Sequence, residues 1–385
     1  MILSTCEKCT MDTTVPRISF DSDGICNYCE MHKILEKEYP IETEGQEKLD
    51  ALYKKVKGNG QNKKYDCVVG ISGGRDSTYL LYYLVKIVGL RCLAVYFNDG
   101  FGNPIAGKNM KKATRILGVD LRTISADWRE SKDIKLAIMK SSVPDLNLGT
   151  DLGLGAALYG VAAKENIKYI MIGQSFRTEG IAPLEWNYLD GRYLKAIHDE
   201  FGTTKLRPWS PSDPGFHLNW QHLIYYMVVK RISVATPFYY LDYVRSDVDK
   251  ILDAEMEWVN PGAHYFDDLF QALLTYVLRR KFGIDRRKFN YAALVRSGQM
   301  SKHEAIEKIK NPQNIEDPKI IDLCLKRLEI TREDLENFLQ MKPKKFSDYP
   351  NLLNIIRRFS FLVRVAANYN LIPKSIYQKY CSGKF

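Results

Sequence analysis

The chain has 385 residues, 45% of them hydrophobic, enough to bury a substantial core and to divide into two or three domains. Its 56 Lys+Arg against 46 Asp+Glu leave a net charge of +10, which favours an anionic partner without naming one: nucleic acid, a nucleotide sugar and ATP all qualify. No apolar run is long enough to span a bilayer, and the residues from Met1 to Glu7 lack the basic start and apolar stretch of a signal peptide, so a cytoplasmic location away from membranes is expected.

The first 35 residues carry four of the eight cysteines, as Cys6-x-x-Cys9 and Cys26-x-x-Cys29 with sixteen residues between the pairs. Each C-x-x-C knuckle can aim two thiolates at one metal. Two knuckles complete a tetrahedral shell, so the spacing predicts a zinc ribbon over 1–35 with Cys6, Cys9, Cys26 and Cys29 as ligands. A segment this small folds around its ion, which makes the Zn²⁺ structural. An iron–sulfur cluster suits the same four thiolates and stays open; two disulfides are disfavoured in a chain without an export signal. Between the knuckles, 15–20 has strand character and Asp21-Ser22-Asp23-Gly24 reads as a turn. Cys67, Cys92 and Cys324 fall in apolar contexts and read as core, while Cys381 lies in the tail and carries no signal.

Within 36–60, Leu49, Leu52, Tyr53 and Val56 mark one face of a connecting helix that ends at Gly58-Asn59-Gly60. The apolar run Cys67-Val68-Val69-Gly70-Ile71 then leads into Ser72-Gly73-Gly74-Arg75-Asp76-Ser77, and Tyr79, Leu80, Tyr83, Leu84, Ile87 and Val88 follow at helical spacing up to Gly89. The order is strand, loop, helix. Paired glycines let backbone N–H groups close on an anion, the serines add hydroxyl donors, and the helix start adds free N–H groups and a positive dipole end. An ordinary turn with Asp76 or Ser77 as N-cap would use the same residue types. A carboxylate beside a polyphosphate makes sense if it holds a divalent cation, because Mg²⁺ takes one or two carboxylates plus phosphate oxygens. The chain has no G-x-x-x-x-G-K-[ST] and no complete G-x-G-x-x-G after a strand. The segment instead resembles the PP-loop of ATP pyrophosphatases, which cleave ATP between the α and β phosphates.

From there to about Val244 strands and helices alternate: strand 92–97, turn 98–100, helix 106–117, strand 121–124, helix 149–165 and strand 169–172. Repeated βα units predict an α/β domain over 61–245, a mostly parallel sheet with helices on both faces. In such sheets ligands lie beyond the carboxyl ends of the strands, which selects the loops 72–77, 98–101 and 173–180. Beyond Val244 the strand signals fade, and 246–258, 265–282, 301–310, 318–327, 332–340 and 349–369 read as helices of a C-terminal region, 246–385.

The ribbon, the Ser72 to Ser77 loop, Gly173-Gln174-Ser175-Phe176-Arg177-Thr178-Glu179-Gly180, Arg279-Arg280-Lys281-Phe282-Gly283-Ile284-Asp285 and Ser297-Gly298-Gln299-Met300 occur in this order. Together they resemble the N-acetyl sugar amidotransferases of bacterial surface polysaccharide biosynthesis, closest to the lipopolysaccharide O-antigen members. The resemblance spans nearly the whole chain. It implies conversion of the acetamido group of a UDP-linked N-acetyl sugar, a diacetamido uronic acid, to an acetamidino group through ATP-dependent adenylation. It further implies pyrophosphate bound at Ser72, Gly73, Gly74, Arg75 and Ser77, Mg²⁺ on Asp76, and catalytic roles for Asp76 and Ser77. Adenine would lie near Gly70, Ile71 and the Tyr96-Phe97-Asn98 strand end, with Gly173 and Gln174 at the ribose or adenine. Arg177, Glu179, Lys205 and Arg207 become candidates for sugar or pyrophosphate contacts. No cysteine is followed by a glutaminase-like elbow, so ammonia would come from a separate glutaminase with a cyclase-like barrel. The competing expectation is a tRNA-modifying PP-loop enzyme, a thiolase or lysidine-type ligase, supported by the ribbon and the +10 charge. It lacks a catalytic cysteine pair near the loop, which sets nucleic acid behind the sugar nucleotide as partner.

Overall fold

The computed structural model describes residues 4–261, 267–311, 316–368, 372 and 374–381. Five strands, β1 (Cys67–Gly70), β2 (Cys92–Asn98), β3 (Asp120–Ser125), β4 (Tyr169–Met171) and β5 (Ser233–Ala235), form one sheet in the order β3-β2-β1-β4-β5. Every pairing is parallel, as the alternation of strand and helix signals requires. The order reverses between β1 and β4, which opens a crevice at their carboxyl ends.

The helices are α1 (Asn27–Glu38), α2 (Thr43–Gly60), α3 (Arg75–Tyr82), α4 (Pro104–Leu117), α5 (Trp128–Ser141), α6 (Leu148–Lys164), α7 (Gly191–Phe201), α8 (Trp220–Ile224) and α9 (Arg245–Met256), followed by the C-terminal set. That set comprises α10 (Phe270–Phe282), α11 (Arg287–Arg296), α12 (Lys302–Lys310), α13 (Pro318–Leu328), α14 (Arg332–Gln340), α15 (Leu353–Arg358), α16 (Ser360–Asn368) and α17 (Lys374–Cys381). Strand side chains alternate between two faces. Cys67, Val69, Ala94 and Met171 bury against α2, α3, α4 and α9, whereas Val68, Leu93, Val95 and Ile170 face α5, α6 and α7. The second core runs on without a break into α10, α13 and α14 through Leu273, Leu274, Cys324, Leu325 and Leu335, so the C-terminal helices share the core of the sheet. Among the described residues no helix is long and apolar enough to cross a membrane.

Three readings of the sequence change. The segment 15–20 is not a strand: Arg17 stands at φ 54° after Pro16, a left-handed kink no strand tolerates, and the described pairing in the ribbon is limited to the isolated bridges Thr5 to Asp12 and Phe20 to Cys26. The single helix expected over 349–369 starts at Leu353 and is broken at Phe359 into α15 and α16, and the helix expected from Tyr265 starts at Phe270, residues 267–269 being turn and bridge; Tyr265 and Tyr369 lie outside the described residues.

Candidate active site and metal centre

Strand β1 delivers the loop Ile71 to Gly74 directly into α3, whose N-cap is Gly74. Gly73 has φ 81°, and a Cβ there would lie 1.9 Å from the Ala106 carbonyl oxygen, so only glycine lets the loop turn this closely against α4. Its own carbonyl is held by Trp258 Nε1 at 3.0 Å and Asn109 Nδ2 at 3.2 Å. Inside the loop, Ser77 Oγ accepts from the Ser72 backbone N–H at 3.1 Å and lies 3.0 Å from Ser72 Oγ, and Ser72 Oγ in turn accepts from Gly74 N–H at 3.3 Å. The serine hydroxyls thus meet N–H groups that an anion could also engage.

Three carboxyls gather around this loop. Asp76, in the first turn of α3, accepts a hydrogen bond from the Tyr243 hydroxyl. Glu179 reaches Asp76 from the loop after β4 and hydrogen-bonds to it; burial, and then the Asp76 charge, raise its pKa well above the usual carboxylate range. Asp267, from the segment before α10, hydrogen-bonds to Ser72 and is likewise pushed up by burial and by Asp76. Carboxyls this close to one another, raised by burial first and by the neighbouring charge second, are a donor set that a divalent cation could share. Gly173 permits the approach: a Cβ there would lie 2.9 Å from the Asp76 carbonyl oxygen, so the β4 end and the α3 start touch backbone to backbone.

The other residues singled out by sequence fall in different places. Gly70 and Ile71 close β1, and the Ile71 N–H pairs with the Val95 carbonyl at 2.9 Å. At the β2 end Phe97 packs edge-on to Phe216, Tyr96 carries its hydroxyl to Gly102, and Asn98 Oδ1 accepts from Gly100 N–H at 3.1 Å; beyond them opens a cavity of about 530 Å³ flanked by Trp128, Lys326 and Arg327. Gln174 is exposed. The Arg75 side chain turns away to Asp249 on α9, with Nη2 at 2.9 Å from Oδ2, leaving its main chain at the helix start. Arg177 is buried, and its guanidinium donates to the Tyr239 and Tyr39 carbonyls at 2.6 Å each over the Phe176 ring, the contacts of a brace rather than of a free anion hook. Arg207 pairs with Glu130 at 2.8 Å, and Lys205 is exposed. Sequence reasoning missed Asp267, Tyr243 and Asp249, because a carboxyl or phenol outside the strand–loop–helix unit carries no local pattern.

Cys6, Cys9, Cys26 and Cys29 converge with their sulfurs within 4.8 Å of one another, all buried and none in a disulfide. Individual separations are 3.6 to 3.8 Å. One tetrahedral ion with bonds of about 2.3 Å places its sulfurs about 3.8 Å apart. A cluster gives each iron its own thiolate and spreads them farther, so the donor set fits a single ion. Cys67 and Cys92 sit at the amino ends of β1 and β2 with their sulfurs 3.6 Å apart, at the opposite edge of the sheet from the loop.

A family model described as the C-terminal domain of WbpG-like lipopolysaccharide biosynthesis proteins matches residues 263–362. Residues 263–362 are thus similar to a WbpG-like C-terminal domain. That domain supplies Asp267 and helices α10 and α11, and the match accords with the resemblance drawn from the sequence. No curated protein matches the chain. Among solved structures, the U34-tRNA thiolase NcsA from Methanococcus maripaludis with its [4Fe-4S] cluster is 11% identical, with 81% of this chain and 90% of that one covered and a TM-score of 0.29. The NH3-dependent NAD synthetase from Campylobacter jejuni is 14% identical (70% and 97% covered, TM-score 0.33), and the NMN synthetase from Francisella tularensis 13% identical (74% and 96% covered, TM-score 0.36). Likenesses this loose carry no argument about activity.

Proposed function

We propose that the protein is an ATP-dependent, AMP-forming amidotransferase that converts the acetamido group of a UDP-linked N-acetyl sugar, a diacetamido uronic acid, to an acetamidino group in lipopolysaccharide O-antigen biosynthesis. The observation that carries this reading is the pair Asp76 and Glu179, hydrogen-bonded carboxyls at the mouth of a glycine-serine loop on the switch point of a parallel sheet. Asp76 and Glu179, with Asp267 beside them, are the residues that would hold Mg²⁺, which screens the polyphosphate charge. The loop amides and the Ser72 and Ser77 hydroxyls would take the β and γ phosphates and then the pyrophosphate. The WbpG-like domain match supports the biosynthetic setting.

An amide is a poor electrophile, so the acetamido oxygen must become a leaving group. It attacks the α-phosphorus, the bond to the β-phosphate oxygen breaks, and pyrophosphate departs. Ammonia then adds at the imidate carbon, the C–O bond breaks, AMP leaves with the former acetamido oxygen, and loss of a proton gives the amidine. Ammonia is supplied in this reading by a separate glutaminase with its cyclase-like barrel. The thiols outside the ribbon give no support for a built-in glutaminase or for sulfur transfer: Cys67 and Cys92 are buried at the far end of the sheet, and Cys324 points at the Leu269 carbonyl. A heavy-oxygen label in the acetamido group tests the chemistry, since it must appear in AMP; label retained in the sugar or released to water refutes O-adenylation.

A further inference from the structure

Helix α11 and the three residues after it touch the four-cysteine centre, the turn that carries Glu179 and the segment whose Tyr243 donates to Asp76. Arg296 places Nε 3.3 Å from Cys29 Sγ and Nη2 3.3 Å from Cys9 Sγ. Ser297 Oγ donates to the Arg177 carbonyl at 2.8 Å, inside the turn that carries Glu179. Gln299 holds the 243–245 segment from both sides, with Nε2 donating to the Tyr243 carbonyl at 2.8 Å and Oε1 accepting from Arg245 N–H at 3.2 Å. Tyr243 in turn donates to Asp76, and Arg245 Nη2 donates to the Thr178 carbonyl at 2.7 Å. No slack lies between these points: a Cβ on Gly180 would come 2.9 Å from the Phe289 carbonyl oxygen, so α11 rests directly on the Glu179 turn.

We propose that residues 296–299 form a positioning strap through which the ion of the four-cysteine centre sets the geometry of Asp76 and Glu179, linking occupancy of that centre to binding of the magnesium nucleotide. Four thiolates around one divalent ion retain a net negative charge, and the half-buried Arg296 guanidinium is the cation that donates to them. Four thiolates packed this closely repel one another, so the ion is what holds the sulfurs at this spacing. Once they separate, Arg296 loses its partners, and Ser297 and Gln299 lose the anchor that holds them against the Glu179 turn and Tyr243. Arg296, Gln299 and Tyr243 are positioning residues; Asp76 and Glu179 are what they position.

The inference rests on the nucleotide reading of the loop, and the test separates the two. Co²⁺ is placed in the four-cysteine centre of the full-length protein, and Mg²⁺ with a non-hydrolysable ATP analogue is titrated while sulfur-to-cobalt absorption and analogue affinity are both followed. Because coupling is reciprocal, analogue binding must change the hold on cobalt, and a strap that moves Arg296 against Cys9 and Cys29 carries that change into the sulfur-to-cobalt spectrum. Tyr243→Phe should weaken the analogue about tenfold, the worth of its hydrogen bond to the Asp76 carboxylate, Gln299→Ala, which acts through Tyr243, by no more than that, and the two together no more than Tyr243→Phe alone. Gln299→Ala should also abolish the spectral shift while cobalt stays bound. An analogue that binds the wild type and leaves the cobalt spectrum unmoved, or substitutions whose effects simply add, overturns the strap and leaves the nucleotide site standing. Failure of the wild type to bind the analogue removes both.

Discussion

Replacing Asp76 with Asn should move stability and nucleotide binding in opposite directions. Without a cation the folded protein holds Glu179 against Asp76, with its pKa raised first by burial and then by the Asp76 charge. A raised carboxyl pKa is a cost to the folded state above the ordinary value of 4.5, because the unfolded chain ionises freely there. Burial is the larger cause and survives the substitution, so Asp76→Asn recovers only the charge part, about 1 kcal/mol, while the amide oxygen can still accept from Tyr243. For a chain of this length that is about 1 to 2 °C in melting temperature. Addition of MgATP at a hundred times its Kd should stabilise the wild type by about 2.7 kcal/mol and the variant hardly at all. The assay is thermal denaturation in a chelator, then in MgATP, with AMP formation followed in parallel. A variant less stable than wild type in the chelator would refute the like-charge account, and a variant that still gains from MgATP and forms AMP would remove Asp76 from the site.

Gly73→Ala puts a methyl 1.9 Å from the Ala106 carbonyl oxygen at φ 81°, so it should cost about 1–2 kcal/mol for the backbone alone and lower AMP formation about 100-fold by displacing the loop; near-normal turnover would show that the loop does not position phosphate. Cys9→Ser should leave the purified protein without its ion and unfold the ribbon first, read by elemental analysis and by proteolysis in the first 35 residues; full ion content in the variant contradicts the four-cysteine assignment. Burial pushes the Asp145 carboxyl up to about 7, so between pH 4 and 7 the folded state carries a proton the unfolded state has lost, and stability falls as pH rises through that window. Asp145→Asn keeps an acceptor for the Tyr188 N–H and removes the titration, so its melting temperature should decline less steeply from pH 5 to 7; an unchanged slope would show that Asp145 titrates normally.

What the sequence made legible was local. The loop at Ser72 to Ser77, its flanking strand and helix, and the four cysteines each announce themselves within a few residues, because a glycine turn, a helix start and a C-x-x-C knuckle are short-range constraints. The strands β1 to β4 were readable, whereas β5, as short as β4 but with none of its residues fully buried, carries no apolar run at the sheet edge. Roles that depend on distant partners were not legible. Arg177 reads as an anion hook and is a brace because Tyr39 and Tyr239 happen to aim carbonyls at it. Glu179 reads as a sugar contact and turns out to face Asp76, and Asp267 joins them only because the chain pairs at Gly102 with Asp268 just before α10.

The central claim is that this loop adenylates an N-acetyl sugar. The most direct measurement supplies the purified protein with ATP, Mg²⁺ and labelled ammonium, together with either a UDP-linked diacetamido uronic acid or unmodified tRNA, and follows AMP, pyrophosphate and the mass of the acceptor. AMP and pyrophosphate that form only with the sugar, matched by replacement of one sugar oxygen with a labelled NH, are the expected result; AMP release driven by tRNA with the sugar inert would contradict it.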